Sequence, residues 1–483
     1  MVSPHWGVRI LAVLPHGLSA MRPSPSRILL LLAALLLAGC ASVQVSGPAA
    51  SAMPSDPALA AAAALAREQA GLSGQARADG AREIERLLAT VDDQALAQGA
   101  AALPQGDPLY GFAGRALLAR NLPLPRPFDL TALWNAHAGN RPAADRDGYR
   151  PPLRLAVLLP LSGNLATAAA PVRDGLLAGY YGERRQRPEV QFYDTTGTPA
   201  GANAAYQRAI GEGADYVLGP LGRDEVAAVL QNPALLRVPV LALNRAGDEA
   251  PTGSFSFAMA PEDDGIAAAD YLLARNVRRV LVLNGADDNA RRSVDAFRRQ
   301  FEAGGGTVSD MLVVTGETPP DMTEALRNAM LKQDGAEAVF LGLRGAQARA
   351  IAPQLAAAGY ATRPRVGTSQ LYGSGSSEDD VALDGIVFPT ERWIATGVPG
   401  LPMASSVAAG LPTARGPAAR LFAFGYDAWM ITAFMERLVG DANAELRGAT
   451  GTLRIDGFGN VLRTPAWATF SGGHVVPLGG TGG

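Results

Sequence analysis

The chain has 483 residues and a formal net charge of −3, from 42 lysines and arginines against 45 aspartates and glutamates. Apolar residues make up 48% and aromatic residues 6%, a composition typical of soluble globular proteins, and the length predicts two or three domains. No basic run stands out, so we expect no nucleic-acid partner. One cysteine and four histidines exclude an internal disulfide and give no spacing suited to a metal site.

The N-terminal segment is typical of a bacterial lipoprotein signal. Arg22 and Arg27 form a short basic region, and residues 28–39 follow as twelve uncharged residues, too few to span a bilayer. Cys40, the only cysteine, comes next. We expect cleavage before Cys40 and its acylation, with Met21 as the true start of a signal peptide that ends at residue 40. The alternative is a buried free cysteine behind an ordinary signal peptide.

The residues after the cysteine predict the sorting and the tether of the protein. Ala41 and Ser42 follow it, and by resemblance to sorted lipoproteins the lack of an aspartate there implies the periplasmic face of the outer membrane. Residues 41–57 are small, polar and proline-containing, so they predict a flexible tether. A coil of this length has a root-mean-square span of only about 20 Å.

Residues 58–138 predict a short helical domain. Apolar residues recur at helical spacing in two stretches that end at Gly71 and Val91, and glycine is a suitable helix stop. Two more short helices are expected near 109–120 and 128–138. No alternation typical of strands occurs in this region.

After a linker rich in proline and glycine, residues 139–152, the pattern over 153–475 changes to alternating strands and helices. Apolar runs that fit buried parallel strands are separated by helical stretches, which predicts right-handed βαβ units. The runs form two series, 153–160, 190–194, 215–219 and 238–243, then 278–284, 306–314, 336–343 and 363–367. Joined at 255–276, they predict an α/β fold with two similar lobes and parallel sheets. A long helix near 418–438 and a hairpin over 451–470 are expected to complete the chain.

Motifs that carry catalytic chemistry are scarce. Lys332 is the only lysine and lies outside any glycine-rich phosphate loop, HExxH is absent, and no G-x-S-x-G follows a strand. Three acidic pairs are expected to support helix N-termini. They are Asp263-Asp264, Asp287-Asp288 and Asp379-Asp380. We therefore expect no enzymatic activity, no cofactor and no metal; a glycan-handling enzyme that uses such a pair as acid and base is an alternative.

Two loops are better candidates for contact with a ligand. Ser162 and Gly163 follow the first predicted strand, and Gly219 and Pro220 follow the third. Open α/β sheets bind ligands at the carboxyl ends of their strands, where helix N-termini present N–H groups. We expect these four residues to line a cleft. The alternative is that they are only the turns that such a fold requires.

A run of motifs between residues 155 and 473 resembles a known family. The motifs are "LAVLLPLSGNLATAAAPVRDGLLAGYY", "FYDTTG", "VLGPLGRDEVAAV", "VPVLALNR", "FAMAPEDDGIAAADYL", "RLFAFGYDAWMI" and "GATGTLRIDGFGNVLRTPAWATFSGG". They look like type I periplasmic binding proteins of the leucine-binding class, and more specifically like the penicillin-binding-protein activator lipoprotein A family. The resemblance implies an outer-membrane lipoprotein without catalytic residues that binds a class A penicillin-binding protein and stimulates peptidoglycan cross-linking. No small-molecule ligand is expected.

The sequence departs from that family in two places. The helical region is much shorter than the family's tetratricopeptide-like domain, and "FPTERW" (388–393) has Trp393 but lacks the expected Pro-Trp pair. The shorter helical region implies a shorter reach toward an inner-membrane partner, and a partner-binding role near Trp393 is not carried over from the family. The main rival hypothesis is a lipid-anchored solute-binding protein for an amino acid or a wall fragment, which would use the cleft near Ser162 and Gly219.

Overall fold

The computed structural model describes residues 56–69, 71–130, 141–231, 233–247, 250–251, 253–332, 335–373 and 376–479. The predicted signal peptide with Cys40, nearly all of the predicted tether and residues 131–138 of the fourth predicted helix lie outside these ranges. Within the described ranges, no helix combines the length and the apolar character that crossing a membrane requires.

The helical region contains α1 (Pro57–Gln69), α2 (Gly74–Thr90), α3 (Asp93–Ala102) and α4 (Leu109–Ala119). Three of these lie where the sequence predicts helices, and α3 was not predicted. The signal for α3 is Asp92, whose carboxylate accepts a hydrogen bond from the N–H of Ala95 (2.9 Å) as an N-cap. Side chains such as Ile84, Leu96 and Leu117 are buried between the helices and form one small core.

The rest of the chain alternates strands and helices, as predicted. The first half contains β1 (Arg154–Leu159), α5 (Ala166–Gly182), β2 (Glu189–Asp194), α6 (Pro199–Gly211), β3 (Tyr216–Leu218), α7 (Arg223–Leu230), β4 (Val240–Ala242), β5 (Ser254–Phe257), α8 (Pro261–Leu273), β6 (Arg279–Gly285), α9 (Asp288–Ala303) and β7 (Thr307–Val314). The second half contains α10 (Thr323–Leu331), β8 (Ala338–Gly342), α11 (Gly345–Leu355), β9 (Arg365–Gly367), α12 (Ser377–Asp380), β10 (Val387–Thr390), α13 (Arg392–Ala395), α14 (Ala404–Gly410), α15 (Ala418–Gly440), β11 (Leu446–Arg447), β12 (Thr452–Ile455), β13 (Asn460–Thr464), β14 (Ala466–Ser471) and β15 (His474–Pro477).

The strands form two sheets, one in each lobe. Lobe 1 has the order β11-β12-β13-β5-β4-β3-β1-β2, and lobe 2 has the order β15-β14-β10-β9-β8-β6-β7. The strands from β13 to β2 in lobe 1, and from β10 to β7 in lobe 2, are parallel, and the remaining strands add antiparallel edges. The predicted fold is confirmed: an α/β domain with two lobes and parallel sheets, preceded by helices.

Both faces of each sheet are covered by helices, which explains the continuous apolar runs in the strands. On β1, Leu155, Val157 and Leu159 belong to the core that also contains α5 and α15. Ala156 and Leu158 belong to the core formed with α6 and α7 on the opposite face. Lobe 2 repeats this arrangement, with one core on each face of its sheet.

The chain passes between the lobes three times: after β5, after β10, and between β13 and β14. The last passage corrects the predicted C-terminal hairpin over 451–470. The segment 452–464 is a hairpin in lobe 1, but β14 starts at Ala466 and pairs with β10 in lobe 2. Only Pro465 separates the two sheets at this point, so the hydrophobic pattern carries no mark of the change.

Helices α5 and α15 cross with backbone contact in lobe 1. A Cβ on Gly175 would lie 1.9 Å from the carbonyl oxygen of Phe422, and a Cβ on Gly425 would lie 1.9 Å from that of Val172. Both positions therefore require glycine. The contact holds α15 on the sheet face next to β1, and α15 in turn supplies arginine and aromatic side chains toward the lobe interface.

The predicted linker is packed on lobe 1 over its described residues, 141–152. Tyr149 is 4% exposed within the lobe 1 core. Arg150 contacts Glu436 on α15 (Nη1 to Oε1, 2.6 Å) and donates to the carbonyl of Pro142 (2.7 Å). These contacts hold residues 141–152 against lobe 1.

The helical region also packs directly on lobe 1, against the turn between β12 and β13. The ring of Phe458 in this turn meets Phe112 of α4 edge-on, with 4.6 Å between centroids. Arg115 lies over the same ring at 4.2 Å and pairs with Asp456 (Nη2 to Oδ2, 2.8 Å), whose side chain is 1% exposed. At Gly111 a Cβ would come within 3.1 Å of the Phe458 ring, so α4 and the turn approach very closely.

Candidate functional site at the lobe interface

The loop after β1 carries Ser162 and Gly163, two of the predicted cleft residues, and it is held by Asp194 at the end of β2. The Asp194 carboxylate accepts hydrogen bonds from the N–H groups of Leu161 (2.9 Å) and Ser162 (3.2 Å) and from the Ser162 hydroxyl (2.6 Å). The N–H of Thr196 donates to it as well (2.8 Å). Donors that could bind the carboxylate of a solute are thus engaged by a carboxylate of the chain itself.

The ionised state of Asp194 keeps these contacts in place. Its partial burial alone would raise its pKa, but hydrogen bonds from Ser162 and from the N–H groups of Thr196 and Leu161 outweigh burial and hold the pKa below its usual range. The group is therefore ionised at neutral pH. An ionised carboxylate accepts but does not donate, so the loop keeps its donors directed at Asp194.

The loop after β3 carries the other two predicted residues and is also internally bonded. The N–H of Gly219 donates to the carbonyl of Leu241 on β4 (2.8 Å), and the peptide bond between Gly219 and Pro220 is cis. The N–H of Gly222, at the start of α7, donates to the Glu225 carboxylate (2.7 Å). The N-terminus of α7 thus already holds an anionic group, which occupies a position that a solute could use.

The four predicted cleft residues lie at the carboxyl ends of adjacent strands, because β1 and β3 pair directly. Ser162 and Gly163 are exposed, whereas Gly219 and Pro220 are buried. The structure thus brings the two loops to one edge of the sheet but gives them different access to solvent. Their cleft-lining role stays a prediction.

Charged side chains from both lobes meet within the lobe interface. Arg463 on β13 lies 3.5 Å from Asp264 on α8 (Nη2 to Oδ1) and 3.9 Å from Glu391 after β10 (Nη1 to Oε1). Arg420 on α15 contacts Glu391 (Nε to Oε1, 3.0 Å). The N–H of Ser369 donates to Asp264 (3.0 Å), and its hydroxyl donates to the same oxygen. Each charged side chain in this group is at most 12% exposed.

Two guanidinium groups and two carboxylates balance the charge of this cluster. Burial raises the pKa of Asp264 above its usual range, although the positive charges of Arg420 and Arg463 and the hydrogen bond from Ser369 act in the opposite direction. Paired buried carboxylates of this kind hold neighbouring elements together.

The acidic pairs have different roles from one another. Asp287 is an N-cap, as predicted, because it accepts from the N–H of Ala290 (3.1 Å). Asp379 forms a capping box with Ser376, also in agreement with the prediction. For the pair at 263–264 the prediction was incomplete, because both carboxylates lie in the first turn of α8 but reach arginines of lobe 1. Sequence spacing could not show those partners.

Trp393 is buried and unavailable for direct contact with a partner. Its side chain is 0% exposed, its ring stacks on Phe422 with 5.0 Å between centroids, and its Nε1–H donates to the carbonyl of Pro402 (2.8 Å). The residue therefore supports the segment between β10 and α15 from within. Any partner contact near it must use neighbouring surface residues.

Metal ligands are not assembled in the described part of the chain. No group of three or more histidine, cysteine, aspartate or glutamate side chains that could hold a metal ion occurs there. The arrangement at the lobe interface can bind charge and order two lobes. It offers no paired acid and base directed at an open cleft.

With this geometry in view, the comparisons with known proteins identify the family. The model described as LppC putative lipoprotein matches residues 149–473, more than half of the chain. The chain belongs to this family. A curated LppC relative from Mannheimia succiniciproducens, named penicillin-binding protein activator LpoA, is 25% identical over 331 residues, 67% of this chain and 55% of the relative. The chain thus spans about half the length of the curated relatives it matches.

Solved structures extend the likeness to the fold. Full-length LpoA from Haemophilus influenzae superposes with a TM-score of 0.58 at 20% identity, over 87% of this chain and 78% of that one. A putative branched-chain amino acid ABC transporter from Chromobacterium violaceum gives a TM-score of 0.53 at 27% identity, over 66% of this chain and 100% of that one. This chain therefore shares its bilobed fold with LpoA and with a protein named for amino acid transport, and the predicted resemblance is confirmed.

Proposed function

We propose that this protein is a non-enzymatic, lipid-anchored regulator that binds a class A penicillin-binding protein, a peptidoglycan synthase, and stimulates its cross-linking activity. Cell-wall growth would rise through that enzyme. Membership of the LppC family, whose curated relatives are named as activators of a penicillin-binding protein, supports the proposal. The proposal extends the name of relatives to a chain that spans about half their length.

The observation that carries the proposal is that polar groups at the predicted cleft already form hydrogen bonds with carboxylates of the chain itself. Asp194 engages the N–H and hydroxyl of Ser162, and Glu225 engages the N–H of Gly222. A receptor for a small anionic solute needs such donors free, since a buried ligand group without a hydrogen bond costs about 1–3 kcal/mol. A regulator that recognises a protein surface has no such requirement.

Regulation without chemistry requires only selective binding. A protein stimulates an enzyme when it binds the active conformation of that enzyme more tightly than the inactive one. A tenfold stimulation by such a shift needs about 1.4 kcal/mol of differential binding, which a modest interface can supply. The paired buried carboxylates of the lobe interface fit this non-enzymatic role.

The anchor and the location form part of the proposal. Acylation of Cys40 would hold the protein at the periplasmic face of the outer membrane, because several acyl chains together give stable anchoring. The binding surface for the synthase is assigned to residues 153–475, since the family match covers that part of the chain. Residues 58–138 would then serve as a spacer on the membrane side.

The test is a transpeptidation assay with a class A synthase from the same organism. Residues 40–483 carrying Cys40→Ser, and separately residues 152–483, are added to the purified synthase, and cross-linked product is measured. We expect stimulation by both proteins and none by the fold-sharing protein from Chromobacterium violaceum, the matched control. Absence of stimulation of every class A synthase tested, with folding verified by circular dichroism, would reject the proposal.

A second candidate, a lipid-anchored solute-binding protein, is favoured by the 27% identity to that putative amino acid transporter protein. A solute that binds only the folded protein stabilises it by about 2.7 kcal/mol at a hundredfold excess over Kd. We expect no rise in melting temperature with free amino acids or wall fragments. A reproducible rise that Ser162→Trp abolishes would move this candidate to first place.

A further inference from the structure

The charges that face each other between the lobes are segregated by sign. The residues on lobe 1 are all arginines, and those on lobe 2 are all carboxylates. The contacts are Arg245 to Asp263 (3.0 Å), Arg420 to Glu391 (3.0 Å), Arg463 to Asp264 (3.5 Å) and Arg463 to Glu391 (3.9 Å). Separating the lobes would therefore leave three arginines on lobe 1 and three carboxylates on lobe 2 without these partners.

Four residues form the inner part of this set, and each is at most 12% exposed: Arg420, Arg463, Asp264 and Glu391. Glu391 and Arg463 are 0% and 2% exposed at their side chains, and Asp264 is 5% exposed. A displacement of one lobe by a few ångströms would increase the distance between the paired charges while they are still largely shielded from water. Leaving one buried charge without its partner is strongly unfavourable, because the charge keeps its desolvation cost and loses its compensation.

Hydrogen bonds within lobe 2 and across the interface support the ion pairs. Within lobe 2, the N–H of Ser369 donates to Asp264 and so orients the carboxylate that faces Arg463. Arg392, just after β10, donates to the hydroxyl of Thr452 on β12 of lobe 1 (2.8 Å). The ion pairs and the hydrogen bond from Arg392 therefore join the same two lobes.

We propose that the three arginines and three carboxylates form an electrostatic clamp that holds the two lobes in one arrangement. The bilobed domain then behaves as one rigid body and does not open and close around a solute. A partner meets a surface whose two halves are already in register, so binding carries no cost of ordering the lobes. The clamp restricts the relative motion of the two lobes whichever partner binds.

The test measures the distance between the lobes in solution. Residues 40–483 with Cys40→Ser contain no cysteine, so Gln207→Cys on α6 and Asn328→Cys on α10, both exposed, accept a spin label each. Double electron–electron resonance then reports the distribution of distances between lobe 1 and lobe 2. For the clamp we expect a single narrow distribution, unchanged by free amino acids.

The decisive comparison uses two ion pairs between an arginine and an aspartate, one between the lobes and one within lobe 2. Arg245→Gln with Asp263→Asn removes a pair between the lobes, in which both side chains are less than a quarter exposed. Arg349→Gln with Asp380→Asn removes a pair of similar geometry (2.7 Å) that lies within lobe 2, between α11 and α12. The two double variants change the same kinds of charge.

We expect the variant between the lobes to raise the open population about tenfold, into the range of a few per cent or more that resonance detects, and the variant within lobe 2 to leave the distribution unchanged. Asp264→Asn with Arg463→Gln should act more strongly. If that inner variant does not fold, the pair at Arg245 still decides the matter, because it is partly exposed. Equal distributions in the folded variants, or two distances in the parent protein, would overturn the proposal.

Discussion

The two junctions of the molecule are built from different interactions. The helical region meets lobe 1 through apolar and aromatic groups around Phe458, with one ion pair beside them. Lobe 1 meets lobe 2 through a group of buried ion pairs. Apolar contact is non-directional and tolerates small shifts, whereas buried ion pairs are favourable only in a narrow geometry. The first junction therefore provides attachment, and the second provides a defined arrangement.

This difference predicts where the chain is most sensitive to substitution. Removing one charge from the lobe junction leaves its partner unpaired in a low-dielectric interior. Removing a ring from the helical junction creates a gap that solvent or neighbouring side chains can partly fill. We therefore expect the larger single-residue effects at the junction between the lobes.

The largest expected effect follows from Arg420→Met. Glu391 is 0% exposed and would lose its 3.0 Å contact, so we expect a loss of about 3–5 kcal/mol in the free energy of unfolding, measured by urea denaturation. Arg298→Met, on an exposed face of α9, is the control and should cost less than about 0.5 kcal/mol. Adding Glu391→Gln to Arg420→Met should restore part of the loss. A loss below about 1.4 kcal/mol for Arg420→Met alone, one tenfold step in the folding equilibrium, would contradict the comparison.

A smaller effect is expected from Phe458→Ala at the helical junction. The ring is only partly buried, so the cost should be about 2–3 kcal/mol, below that of a fully buried phenylalanine. Tyr181→Ala is the matched control, since that ring is 69% exposed and its removal should change stability little. Native-state hydrogen exchange should show faster exchange in α4 for Phe458→Ala only. Unchanged protection of α4 would show that the turn does not hold the helices.

The smallest of the three effects concerns Asp427, a buried carboxylate within lobe 1 that is held mainly by hydrogen bonds. It accepts from the N–H groups of Ala449 (2.5 Å) and Thr450 (2.7 Å), yet burial raises its pKa to about 6. Because the folded protein binds this proton more tightly than the unfolded chain, the contribution of Asp427 to stability is greatest below about pH 4 and is lost as pH rises through about 6. The loss over that interval should be about 2 kcal/mol.

Asp427→Asn should flatten the pH dependence of unfolding between pH 4 and 6, measured by thermal or urea denaturation at closely spaced pH values. Asp295→Asn, on an exposed face of α9, serves as the control and should leave the slope as it is. Asp264, whose pKa is also raised, contributes in the same direction, so a residual slope is expected. An unchanged slope in Asp427→Asn would assign the effect to other groups.

The fold was predictable because buried parallel strands produce continuous apolar runs. β5 was missed as a strand because "SFSF" alternates with serine, although all four residues are buried. The division of the predicted hairpin between two sheets could not be predicted, since only Pro465 marks it. Local pattern specifies a strand, but the choice of sheet depends on contacts far away in the chain.

The site was less predictable, for the same reason. Ser162 and Gly219 were placed correctly at the ends of strands, but the partner that occupies Ser162 is Asp194, which lies at the end of "FYD" on the next strand. The roles of Asp263 and Asp264 depend on Arg245 and Ser369, 18 and 105 residues away. Spacing along a helix can indicate a cap, whereas an ion pair between lobes is a property of the folded chain alone.

The close contact between α4 and the turn between β12 and β13 limits where the helical region could be extended. A Cβ on Gly457 would lie 2.5 Å from the Cα of Gly111, so no further helix can be inserted between α4 and lobe 1. Helical repeats grow by stacking on a free end. Any further helices stacked on this region would therefore have to pack on the α1 side and leave the contact between α4 and lobe 1 unchanged.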